Sequence, residues 1–212
     1  MALGITHSSL AEDRDVNLRK TIAEAVGTAT LLLVVIGSGV MATNLSKDIG
    51  VQLTINSAAT GLILYILITL LGPISGAHFN PVVTLVDLIQ GRSSALQFIQ
   101  YTVAQVLGAI SGALLANAMF DHAIIETATK ARTGSNLFLA EIVATAGLIL
   151  VINLLVVQKN LTVIPAAVAA WIGSAYFFTS STSFANPAVT IGRTFSDSFA
   201  GIAPSSAPAF IA

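Results

Sequence analysis

Cysteine is absent from this 212-residue chain, which removes disulfide frameworks, thiolate metal sites and cysteine nucleophiles together. Charge is almost as scarce. Asp, Glu, Lys and Arg make up 9% of the residues, against about 25% in soluble domains, so there is too little charge to coat a globule and a soluble enzyme is not expected. The nine basic residues are dispersed and the net charge is −1. No phosphate-neutralising stripe exists, and nucleic acid is not expected as a partner. Histidine is limited to His7, His78 and His122, which sit in a tail, a motif and a loop, so neither a metal site nor a cofactor is expected.

What the chain has instead is apolar length. Hydrophobic residues make up 55%, and no charged residue occurs over 49–86, 93–120, 142–158 or 160–192. Crossing a bilayer core of about 30 Å takes about 20 mostly apolar residues in a helix. Full spans are predicted at about 21–43, 51–71, 96–118, 137–157 and 161–179. All are helical, because backbone in lipid must satisfy its own hydrogen bonds. The fold class is all-α, a multi-span membrane bundle. Residues 1–20 read as a polar N-terminal tail. Arg14, Arg19 and Lys20 precede the first span and Lys47 alone follows it, which places the N-terminus in the cytoplasm. Arg92 and Lys159 then also fall inside, while Lys130 and Arg132 fall outside.

Two segments are near-copies: Asn80-Pro81-Val82-Val83-Thr84 and Asn186-Pro187-Ala188-Val189-Thr190. Asn is a strong N-cap and Pro is favoured at the first helical position, so both announce helix starts. The apolar stretches they open, 80–90 and 186–197, reach only some 15–18 Å at about 1.5 Å per residue. They are too short to cross and are predicted as re-entrant half-helices. Three full spans lie between them, an odd number, so the half-helices enter from opposite faces. Ala23-Glu24 and Ala140-Glu141 echo one another early in the first and fourth spans. The repeats are therefore 21–118 and 137–212, joined by a loop at 119–136. Inverted repeats with broken helices meeting at the midplane are the architecture of a solute path.

These residues resemble the aquaporin and aquaglyceroporin family, the major intrinsic proteins. The sharpest stretches are Ser75-Gly76-Ala77-His78-Phe79-Asn80-Pro81 and Asn186-Pro187-Ala188. The resemblance implies a passive channel in the cell membrane for water or small neutral solutes, assembled as a homotetramer. If the half-helices meet end to end, Asn80 and Asn186 can donate to a passing oxygen where two positive dipole ends converge, which favours neutral solutes over cations. Pro81 and Pro187 would hold the half-helix starts. The resemblance assigns Glu24 and Glu141 to holding the re-entrant loops, and places His78 along the cytoplasmic half of the pore. Gln105, Asn153 and Asp87 read as interhelical glue or loop anchors.

The sequence departs from the family in three places. Most members carry Arg directly after the second Asn-Pro-Ala, but here that position is Val189. Arg193, one helical turn on, is expected to lie too far from the constriction to replace it. By spacing from the motifs, the other filter positions are Thr60, Tyr176 or Ser174, and Ser183. A less cationic filter admits polyols, urea-like solutes, ammonia or neutral metalloid hydroxides beside water. The resemblance leans toward bacterial members with non-Arg filters linked to arsenical handling. Val82 stands where the first motif usually has Ala, next to Ala188 in the second. Finally, the third span of the second repeat is expected to be truncated, opening at Ala209-Phe210-Ile211-Ala212 and needing roughly 15 more residues to cross. The alternatives to a channel are a non-conducting truncated member and a secondary transporter.

Overall fold

The computed structural model describes residues 7–211, with side chains from residue 17 onward. Among these residues all regular structure is helical. Five long helices, α1 (His7–Leu45), α2 (Ile49–Ser75), α4 (Ala95–Met119), α5 (Ser135–Val157) and α6 (Ile164–Phe178, entered through a 3-10 turn at Leu161–Val163), alternate with two short ones. The short ones are α3 (Pro81–Ile89) and α7 (Pro187–Arg193). The five long elements are each apolar enough to cross a membrane. Their outward faces carry leucines such as Leu62, Leu107, Leu139 and Leu150, all more than half exposed, while Glu24, Thr28 and Gln105 are buried completely. Polarity is thus turned inward, as a lipid environment requires.

Local chemistry sets the ends of these elements. Asp48 caps α2 by accepting from Val51 N–H, and Ser94 caps α4 by accepting from Gln97 N–H. Gly76 ends α2 in the left-handed region at φ 91°, where a side chain would be strained.

The predicted polar tail is helical from His7, since 7–20 contains no Gly or Pro to stop α1; residues 1–6 lie outside the described residues. Two expectations are corrected. The second half-helix stops at Arg193, short of the expected 197, with Thr194 as its cap. The chain there turns back so that Phe195 N–H and Ile202 N–H bond the Gly192 and Arg193 carbonyls. The expected first α-helical turn at 209–212 is a 3-10 turn at Ala207–Phe210, where Ile211 N–H donates three residues back to Pro208; Ala212 lies outside the described residues.

Packing is set by small residues. A Cβ at Gly108 would lie 2.3 Å from the Ala25 carbonyl oxygen, and one at Gly112 2.1 Å from that of Ala29. Helices α1 and α4 therefore touch backbone to backbone along a glycine pair spaced by four. Elsewhere α2 packs on α6 and α5 on α6, with Trp171 lying over Gly147 and donating from Nε1 to the Ala144 carbonyl at 3.0 Å.

Candidate functional site

The loops that lead into the two short helices have the same conformation. Ala77 and Phe79 adopt φ 50° and 49°, and their counterparts 106 residues on, Ser183 and Ala185, adopt 51° and 48°. Left-handed backbone costs a non-glycine residue roughly 1–2 kcal/mol. A buried carboxylate offsets that cost in each loop. Glu24 accepts from the His78 and Phe79 N–H groups at 3.0 and 2.6 Å, and Glu141 accepts from the Phe184 and Ala185 N–H groups at 3.0 and 2.7 Å. Glu24 also accepts from Ser75 Oγ and Gln105 Nε2. Glu141 has no such side-chain donors among the described residues. A small hydroxyl steadies each loop further: Ser75 Oγ accepts from Ala77 N–H and Ser181 Oγ from Ser183 N–H.

Held this way, the loops bring the two helix starts together. Asn80 Oδ1 caps α3 by accepting from Val82 N–H, and Asn186 Oδ1 caps α7 by accepting from Ala188 and Val189 N–H. Each Asn Nδ2 then donates to the opposite loop: Asn80 to the Ala185 carbonyl and Asn186 to the Phe79 carbonyl, both at 2.7 Å. An amide carries two N–H donors. The cross-bond uses one and leaves one for the space alongside.

That space is a cavity of about 350 Å³ lined by both Asn residues. Its walls are mostly aliphatic, including Leu31, Val35, Leu64, Leu148 and Ile172, so the polar groups form a sparse track between apolar sides. At one end lie His78, Asp87 and Arg92. His78 Nε2 is 3.1 Å from an Asp87 carboxylate oxygen and its Nδ1 is 3.1 Å from Thr84 Oγ1, while Arg92 also pairs with Asp87. Arg92 and Gln90 both reach Asn153 Oδ1, which ties this mouth to α5. At the other end lie Thr60, Tyr176, Ser183, Phe184, Val189 and Arg193. The Thr60 and Tyr176 hydroxyls are 3.1 Å apart.

Asn80, Asn186, His78, Thr60, Tyr176, Ser183 and Val189 all line the cavity, whereas Ser174 does not. Pro81, Pro187, Val82 and Ala188 do not line it either; they form the first turns of the half-helices, and Ala188 is completely buried. Val83, the counterpart of Val189, takes the lining position in the first half. Gln105 lies behind the wall, donating to Glu24 and to Thr84 Oγ1. Arg193 corrects the expectation that it stands too far away. It is 2% exposed, lines the cavity, and holds its guanidinium carbon 3.5 Å from the Phe184 ring centroid. The i, i+4 spacing to Val189 was the available signal, since it puts both side chains on one face of α7.

The loop over this end adds further cations. Lys130 Nζ donates to the Phe199 carbonyl at 2.9 Å and Arg132 Nε to that of Gly201 at 3.1 Å. Burial, with Arg132 and Arg193 nearby, pulls the Lys130 ammonium down to about 8. Burial also lowers Arg132.

The chain is similar to known proteins over most of its length. Residues 12–195 match the family model described as Major intrinsic protein. The chain is 46% identical over 193 residues to aquaglyceroporin AqpS of Rhizobium meliloti (strain 1021), covering 91% of this chain and 82% of that one. It is 40% identical over 99 residues to aquaporin Z of Rhodopseudomonas palustris, covering 47% of this chain and 41% of that one. Among solved structures, the aquaglyceroporin from Plasmodium falciparum superposes with a TM-score of 0.67 at 22% identity, over 83% of this chain and 79% of that one, a likeness of fold.

Proposed function

The chain belongs to the major intrinsic protein family, a family of channels, and from that premise we propose that it conducts water and/or small neutral solutes, such as glycerol, urea-like molecules, ammonia or neutral metalloid hydroxides. The observation that carries this reading is the single cavity running from His78 and Asp87, past the crossed Asn80 and Asn186, to Thr60, Tyr176 and Ser183. A solute moving along it trades hydration for the free Asn N–H groups at the centre and for hydroxyls toward the Arg193 end. The aliphatic walls between these groups offer it no bonding partner. Both half-helices point their N-terminal dipole ends at the centre, which disfavours cations and protons there.

Val189 supports the wider solute range. A valine directly after the second motif leaves open the space that an arginine would fill, and the fixed cation sits one turn further along α7. The basic residues flanking α1 support a cytoplasmic N-terminus in the cell membrane. The half-exposed apolar faces are consistent with a homotetramer in which each protomer has its own path.

Stopped-flow light scattering on proteoliposomes tests the proposal, using water, glycerol and arsenite gradients. Accelerated water flux together with accelerated entry of at least one larger neutral solute is expected. Water flux with every larger solute excluded would overturn the wider-filter reading.

A further inference from the structure

The Arg193 guanidinium is a buried cation that forms no ion pair with a described carboxylate. It has five N–H donors, and Nε–H alone is used, donating to the Ala200 carbonyl. The two terminal nitrogens bond no other described residue, and no described carboxylate pairs with them. One face of the group is covered by Phe184, whose N–H is fixed by Glu141 and whose ring rests on Phe210 at 4.8 Å. The backbone that carries it is held in place, because α7 is pressed against α4: a Cβ at Gly192 would meet Ala109 at 2.9 Å. What stays free is the edge of a planar fork in the cavity wall.

An unpaired charge buried in this way is costly unless something polar meets it. Water can do so in part. The fit is better for a ligand with two coplanar oxygens, since a guanidinium edge binds a carboxylate through two parallel N–H···O bonds. Charge near the site is mixed but positive in balance. Lys130 and Arg132 lie over the same end, their nitrogens bonding the Phe199 and Gly201 carbonyls on either side of Ala200. Against these and Arg193 stand two carboxylates, Glu141, held by the Phe184 and Ala185 N–H groups, and Asp197, held by Thr129 N–H and Oγ1. Like-signed groups around a narrow opening raise the local concentration of the opposite ion.

We propose that the Arg193 end of the cavity is a binding site for a small planar monocarboxylate, and that its occupancy obstructs the flow of neutral solutes. The inference rests on the channel reading for its flow consequence, but not for the binding itself. Arg193 is the anion-binding group, Phe184 the platform that orients it, and Lys130 with Arg132 the funnel.

Two measurements separate the parts. In detergent, the melting temperature of the purified protein is followed in sodium acetate, sodium chloride and acetamide at matched ionic strength. Acetate alone is expected to raise it, saturably and in the millimolar range. In proteoliposomes with acetate equilibrated across the membrane, water flux is expected to fall saturably with acetate and not with chloride or acetamide. Arg193→Gln should raise the half-effective acetate concentration by about tenfold or more, the loss of about 1.4 kcal/mol, with Arg193→Lys in between. The wild-type comparison of acetate with acetamide needs no variant, so it decides even if Arg193→Gln misfolds. Equal effects of acetate and chloride in both assays would overturn the site. An acetate-specific melting shift in a protein that passes no water would leave the site standing and sink the channel reading.

Discussion

Replacing Glu24 by Gln should weaken folding and leave the flux of each folded molecule intact. The carboxylate is completely buried and accepts four hydrogen bonds, from Ser75 Oγ, His78 N–H, Phe79 N–H and Gln105 Nε2. A Gln amide keeps one accepting oxygen, which can stay with Ser75 and His78. Its NH2 would then face Phe79 N–H and Gln105 Nε2. Gln105 can adapt, because its own Oε1 is buried without a partner and an amide flip presents it to the new donor. The backbone N–H of Phe79 cannot. One orphaned buried N–H costs about 1–3 kcal/mol, against the loop strain at Ala77 and Phe79 that it helped to hold. Glu24→Ala leaves all four donors without their acceptor and should cost about twice as much or more on the same scale. Blocking the flip with Gln105→Leu in the Glu24→Gln background should remove the rescue and add a further loss. The assay pairs thermal unfolding in detergent with stopped-flow water flux normalised to folded protein. Wild-type melting of Glu24→Gln with selectively lost flux would refute the reasoning, because the carboxylate would then act on the permeating species.

Other perturbations follow from the same packing and charge. Gly112→Leu should disrupt the backbone contact of α1 and α4, where even a Cβ would sit 2.1 Å from the Ala29 carbonyl oxygen; a destabilisation of at least about 1–3 kcal/mol is expected, read as a lower melting point in detergent. Val189→Arg would place two guanidinium groups one turn apart on α7 and fill the open filter position, so glycerol flux should fall more than water flux, and equal losses would count against a filter at that position. Lys130 has a folded-state value of about 8, below its usual 10.5, so the folded chain binds fewer protons than the unfolded one between those values. Stability should therefore rise with pH across about 8 to 10.5, and Lys130→Gln should flatten that rise in melting curves recorded over the same range.

The class of the protein follows from local patterns along the chain. A chain with so little charge and four charge-free runs has to place helices in lipid, and paired Asn-Pro starts 106 residues apart have to belong to short helices entering from opposite faces. These are local properties: hydropathy over about 20 residues and capping over two or three. Tertiary structure decided how the pieces act on one another. That each Asn spends one amide proton on the opposite loop depends on a contact across 105 or 107 residues, which no local pattern encodes. The matched left-handed residues before the motifs could not be read from Ala77, Phe79, Ser183 and Ala185, since none is a residue type that prefers such backbone. A carboxylate one span away imposes it. Arg193 shows the same limit most clearly. Its spacing from Val189 gave its face on the helix, but its reach into the cavity depends on the close seat of Gly192 against α4 and on Phe184 beneath it, and those are properties of the packed fold.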